Sequence, residues 1–85
     1  MQRIPLNSRS LRSVGYHAGN ALLELEFHDG AVYQYFGVPA ESYQSLLRAT
    51  SHGGYFNAHI RHHFAFAKLP PTSSPVAEFW QQIHH

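Results

Sequence analysis

The 85-residue chain has no cysteine, one tryptophan, one methionine and only five acidic residues. Without cysteine there is no disulfide framework, no thiol nucleophile and no cysteine-ligated zinc. Five acids against six lysines and arginines leave a net charge of +1, so no strong field of either sign draws nucleic acid or an anionic membrane from a distance. No run approaches the ~18 apolar residues of a membrane span, and Met1 to Ser8 lacks the apolar core of a signal peptide. A cytoplasmic protein without membrane contact is therefore expected. What the chain does hold is aromatic: 44% of it is hydrophobic, with five tyrosines and six phenylalanines, enough for one small core and too much for a wholly disordered chain. It also holds eight histidines, at 17, 28, 52, 59, 62, 63, 84 and 85. Their protonation between about pH 7.5 and 5.5 would make the surface strongly cationic.

Residues 1–13 carry Arg3, Arg9 and Arg12 among serines and read as a basic arm. Val14-Gly15-Tyr16 can begin a first strand, with turn chemistry at Ala18-Gly19-Asn20. From Leu22 to Phe27 apolar and acidic residues alternate, the period of a half-buried strand, and Asp29-Gly30 marks a hairpin into Ala31 to Phe36. Two registers are open. A two-residue loop sets Leu23, Leu25 and Phe27 opposite Phe36, Gln34 and Val32 and puts Tyr33 and Tyr35 on the face of Glu24 and Glu26. A three-residue loop including His28 moves both tyrosines onto the face of Leu23 and Leu25, into the core.

Pro39 suits a first helical turn, and Tyr43, Leu46 and Leu47 recur at i, i+3, i+4 as one amphipathic helix. Ser51 is a natural N-cap for a second helix whose buried stripe is Phe56, Ile60 and Phe64, changing to a last strand between His62 and Phe64. Residues 70–75, with Pro70, Pro71 and Pro75, form a linker. Beyond it Val76, Phe79, Trp80 and Ile83 make an amphipathic helix over 76–85, too short to be stable undocked. The predicted fold is α+β: a small antiparallel sheet of three to four strands packed against two helices, plus this C-terminal helix.

Gly30-x-Val32-Tyr33-x-Tyr35-x-Gly37-Val38-Pro39, a helix, and then Ala49-x-Ser51-x-Gly53-x-Tyr55-Phe56-Asn57-x-x-Ile60-Arg61 resemble the KTSC domain. That family is named for its occurrence at the C-terminus of some lysyl-tRNA synthetases, and it also occurs as a stand-alone bacterial or phage protein. The resemblance covers roughly residues 8–69, with the domain itself placed at 14–69. It brings no catalytic residues, and through the synthetase association it implies RNA binding.

The residues themselves offer three sites. Tyr33 and Tyr35 can stack successive bases, against the plainer reading of cross-strand packing. His52, Gly53, Gly54, Tyr55, Asn57 and Arg61 offer an anion site: glycines at a helix start permit close backbone approach, and Asn57 and Arg61 at i, i+4 can pair an amide with a guanidinium. The plainer reading is a capping turn. His59 with His62 or His63 has divalent-ion spacing but no carboxylate nearby in sequence, so a solvated polar face competes with a His59/His63 metal site. Ser51 beside His52 cannot act as nucleophile and base, and Asp29 has no evident partner. The expectation is a non-catalytic module without cofactor, binding RNA through Arg9, Arg12, Arg48, Arg61 and Lys68 for phosphates, with Asn57 and the tyrosines for bases. The alternative is a protein-interaction or self-associating module that docks through Val76, Phe79, Trp80 and Ile83.

Overall fold

The apolar and acidic alternation of residues 22–27 builds the middle strand of a five-stranded antiparallel sheet. The computed structural model describes residues 3–70. In it β1 (Arg3–Pro5), β2 (Leu11–His17), β3 (Leu22–Phe27), β4 (Val32–Phe36) and β5 (Phe66–Lys68) lie side by side in chain order. Helix α1 (Ala40–Arg48) and the short α2 (His52–Tyr55), continued by one π-helical turn at Phe56–Ile60, lie between β4 and β5 in sequence. The α+β expectation holds with a correction to the strand count, five in place of three or four. The additional strand comes from the expected basic arm, because Ile4 pairs with Val14 and Pro5 with Ser13. β1 lies at the sheet edge, where a proline's missing N–H is tolerated. The linker beyond Pro70 and the helix expected over 76–85, with Val76, Phe79, Trp80 and Ile83, lie outside the described residues.

The hairpin resolves to the three-residue loop. Leu23 faces Tyr35 and Leu25 faces Tyr33, while the Phe27 N–H donates to the Ala31 carbonyl and the Gly30 N–H to the Phe27 carbonyl. Gly30 takes φ +93°, the left-handed residue that ends such a loop. Asp29 Oδ1 accepts from the Ala31 N–H at 2.9 Å. His28, the first loop residue, reaches out of the hairpin, its Nε2–H donating to the Ser8 carbonyl at 2.7 Å.

This register separates aromatic from acidic residues. On the inner face Leu11, Val14, Leu23, Leu25 and Tyr35 pack with Val38, Leu46, Phe56 and Ile60 into one core. Tyr16 stacks on Tyr43 at 4.8 Å and donates its hydroxyl hydrogen to the Val38 carbonyl, tying β2 to α1 and the turn before it. The outer face carries Glu24 and Glu26. Arg3 stands opposite Gly15, which stands opposite Glu24, and the Arg3 guanidinium reaches across the bare glycine to Glu24 at 3.3 Å. Ser13 Oγ–H donates to Glu26 at 2.8 Å and Gln34 Nε2–H to Glu24 at 2.9 Å. Next to this polar strip are Leu22, Val32 and Phe36, the last of them 43% exposed.

α1 begins after Pro39 in extended conformation and buries Leu46. α2 is capped as its sequence predicts, with Ser51 Oγ accepting from the Gly54 N–H at 3.0 Å. It departs from the expected regular helix at Phe56, where the Arg61 N–H donates to the Phe56 carbonyl five residues back. The widened turn keeps both Phe56 and Ile60 in the core. Helical structure therefore stops before Phe64, which is only half-buried at the core margin. Among the described residues no helix is long and apolar enough to cross a membrane.

Candidate functional site: a cationic aromatic cleft

β4 and β5 lie beside the π turn, and the gap between this strand pair and the turn is a cleft of about 510 Å³. Its aromatic wall is made by Tyr33, Tyr35 and Phe66. The Tyr33 and Phe66 rings lie 5.8 Å apart, Tyr35 and Phe66 5.6 Å apart, and Phe27 meets Tyr33 edge-on at 5.6 Å. Phe66 is 56% exposed, an arrangement that leaves a large apolar ring facing water beside two cations. Lys68 Nζ sits 5.9 Å from the centre of the Tyr33 ring, within cation–π range. Arg61, from the end of the π turn, lines the opposite side with Asn57 and His62. Asn57 Oδ1 accepts from Arg61 Nη1 at 3.3 Å, the i, i+4 pairing expected from the sequence. That long contact occupies one of the guanidinium's five donors.

The electrostatics follow from the register. With Glu24 and Glu26 on the outer face, Asp29 is the only carboxylate among the described residues that line the cleft, facing Arg61, Lys68 and His62. One of its oxygens is held by the hairpin turn. The two-residue register would have set two carboxylates beside the tyrosines. Burial raises the Tyr35 phenol above the ordinary tyrosine pKa; neighbouring Tyr33 adds to the effect and Arg61 opposes it. Tyr35 therefore stays protonated at neutral pH.

Of the residues singled out for RNA or anion contact, the cleft gathers Tyr33, Tyr35, Gly53, Asn57 and Arg61, together with Lys68. Tyr35 requires a correction. At 3% exposure and edge-on to Phe56 at 5.5 Å, its ring is part of the wall and offers no free face for stacking. The glycine pair also has another role. The Gly54 N–H is taken by Ser51, and a Cβ on Gly53 would lie 3.2 Å from Ser10 Oγ, so the glycines admit the cap and the loop before β2 in place of a phosphate. Gly54 and Arg9 belong to a neighbouring polar hollow between that loop and α2. Arg48 is exposed at the end of α1 and borders neither space, while Tyr55 packs on the His59 ring at 4.5 Å. Arg12 lies at 3.4 Å from the His28 carbonyl. His63 Nε2 is 3.2 Å from the Ala58 carbonyl oxygen, and among the described residues no three His, Asp or Glu side chains group as metal ligands.

Phe66 is a cleft residue that the sequence did not single out. Its alternation with Lys68 read as an ordinary strand, and only the pairing of β5 with β4, Tyr35 to Phe66 and Tyr33 to Lys68, brings ring and cation together.

The chain matches the KTSC domain over residues 7–64. It is 51% identical over 57 residues to an uncharacterized protein of Stutzerimonas stutzeri, covering 67% of this chain and 80% of that one. It is 36% identical over 59 residues to a lysine–tRNA ligase of Nostoc punctiforme, covering 69% of this chain and 10% of the ligase. The crystal structure of a KTSC domain protein from Yersinia pestis superposes with a TM-score of 0.77 at 37% identity, covering 81% of this chain and 97% of that one.

Proposed function

The chain belongs to the KTSC domain family, and from that premise we propose that it is a non-catalytic module that binds unpaired RNA in the cleft between β4, β5 and the π turn. The observation that carries this reading is the juxtaposition of the exposed Phe66 ring and Tyr33 with Arg61 and Lys68. An aromatic ring accepts any base by its face, at about 1–3 kcal/mol per base, and the flanking cations take the adjoining phosphates. Asn57 lines the cleft with an amide able to read a base edge. The ligase of Nostoc punctiforme, an enzyme named for a tRNA, contains a segment similar to this chain, which favours RNA over other planar anions. A net charge of +1 implies few phosphate contacts, so the ligand is a short unpaired stretch and not a duplex tracked along its backbone.

Amide NMR spectra of the labelled chain, titrated with a short single-stranded RNA and with tRNA at low salt, test the proposal. The expected result is a set of salt-sensitive shifts confined to residues 57–68 and the Tyr33 strand. No shift at high RNA concentration, or shifts centred on Arg48, would overturn it.

A further inference from the structure

We propose that the cleft selects guanine among the four RNA bases, with the Asp29 carboxylate accepting from its pairing edge; the inference rests on the RNA reading above. Asp29 is the one carboxylate among the described residues that line the cleft. A negative charge beside a path for phosphates weakens binding by repulsion unless it makes a contact of its own. Its place in the hairpin does not require the charge. The turn uses a single oxygen, Oδ1, which accepts from the Ala31 N–H at 2.9 Å, and an asparagine before glycine supplies the same oxygen and the same turn. Nor do the neighbouring cations take it up. The one ion pair among the described residues joins Arg3 to Glu24, so neither Arg61 nor Lys68 is paired with Asp29.

The ladder sets where this carboxylate stands. Ala31, Tyr33 and Tyr35 alternate onto the inner face, and Ala31 lines the cleft with Asp29. Two residues along a strand advance about 6.6 Å, so Asp29, hydrogen-bonded to Ala31, closes the turn end of the aromatic wall one step beyond Tyr33. A base seated on that wall with its edge toward the turn meets an acceptor there. A carboxylate only accepts, through two oxygens side by side, and Oδ1 keeps a second acceptor site beyond its bond to Ala31. Guanine alone among the four bases offers two donors side by side, N1–H and the N2 amine, with O6 as an acceptor next to them. In adenine and cytosine the amine stands beside a bare ring nitrogen, and in uracil N3–H lies between two carbonyls, so one carboxylate oxygen would face a lone pair. The Asn57 amide oxygen is engaged by Arg61 at 3.3 Å, which leaves its N–H groups for guanine O6, while Arg61 and Lys68 stay with the phosphates. Position 29 thus selects the base, and the aromatic wall holds it by its face.

Fluorescence anisotropy with labelled uridine hexamers, unmodified or carrying one internal guanosine, adenosine, cytidine or inosine, reads the preference. The guanosine hexamer should bind the full-length chain about 5- to 160-fold more tightly than the uridine, adenosine and cytidine hexamers, the discrimination of one bidentate pair. Inosine keeps N1–H and lacks the N2 amine, so its hexamer should fall between. Asp29→Asn should bring the guanosine hexamer to the level of the others without weakening the uridine hexamer, because the turn keeps its acceptor and the phosphates lose a repulsive neighbour. The inosine comparison uses the unsubstituted chain and so stands apart from any effect of the variant on folding. Equal binding of all the hexamers overturns guanine selection and leaves the RNA reading in place, whereas no binding of any hexamer overturns both. A preference that survives Asp29→Asn, or an inosine hexamer bound as tightly as the guanosine one, overturns the role of the carboxylate.

Discussion

Arg61→Ala gives the sharpest test of the cleft because charge and stacking leave different signatures in salt. Two cations, Arg61 and Lys68, flank the aromatic wall. Each phosphate they neutralise on a single strand contributes about −0.7 to the slope of log affinity against log salt, so the unsubstituted chain should show a slope of about −1.4 and lose about sevenfold in affinity between 50 and 200 mM. Removing the guanidinium should halve the slope to about −0.7, leaving a loss of about 2.6-fold over the same range. Phe66→Ala should behave otherwise: stacking worth about 1–3 kcal/mol per base weakens binding about 5- to 160-fold at every salt concentration with the slope retained. Fluorescence anisotropy of a labelled six-nucleotide RNA measures both. Arg61 is exposed and its contact with Asn57 is 3.3 Å, so thermal unfolding should be nearly unmoved and serves as the control. A slope that stays near −1.4 in Arg61→Ala would refute the phosphate role, and Phe66→Ala binding at full strength would refute the stacking role.

Four further outcomes follow from the fold. Leu46→Ala, at a fully buried position, should cost about 2–5 kcal/mol in urea unfolding. Ser51→Ala removes the acceptor for the Gly54 N–H and should cost about 0.5–2 kcal/mol, with amide exchange accelerated first at Gly54. At Gly30 a Cβ would meet nothing within 4 Å, yet φ is +93°. Gly30→Ala should therefore destabilise through backbone strain alone, by about 1 kcal/mol, and an unchanged unfolding midpoint would contradict the hairpin geometry. The Tyr35 phenol has its pKa raised by burial, so its protonated form is favoured in the folded chain. Its contribution is complete below the unfolded pKa of about 10 and is lost as pH rises through the folded value. Tyr35→Phe should remove that loss, seen as a flatter urea midpoint above pH 10.

Strands with a strict alternation were legible before the structure, as were elements with a complete stripe. Leu23, Leu25 and Phe27 against Glu24 and Glu26 declare a strand, and Tyr43, Leu46 and Leu47 declare a helix. β1 did not show because three residues are too few to display a period, and its pairing with β2 is made by backbone groups that carry no side-chain signature. The hairpin register stayed open because the loop length rests on Gly30 in a left-handed conformation and on His28 reaching Ser8, twenty residues away. The π turn was illegible for a related reason: Phe56 and Ile60 fit a regular helix equally well, and only the packing of both against the sheet widens it. In the cleft, Asn57 with Arg61 could be read from local spacing. Phe66 could not, since its neighbours Tyr33 and Tyr35 are more than thirty residues away in sequence and adjacent only across the β4–β5 ladder.

The turn at His28–Gly30 also constrains how chains of this kind can diverge. A substitution along β3 or β4 changes the contacts of one side chain and leaves the two faces as they are. Deleting one residue of the turn is different in kind, since a shift of one position exchanges the two sides of an entire strand. Tyr33 and Tyr35 would be turned onto the outer face beside Glu24 and Glu26, Gln34 would be driven against Leu25, and the cleft would lose its aromatic wall. Length in this turn is inherited as a parity, and divergent relatives that keep the cleft should vary the identity of residues 28 and 29 while conserving their number.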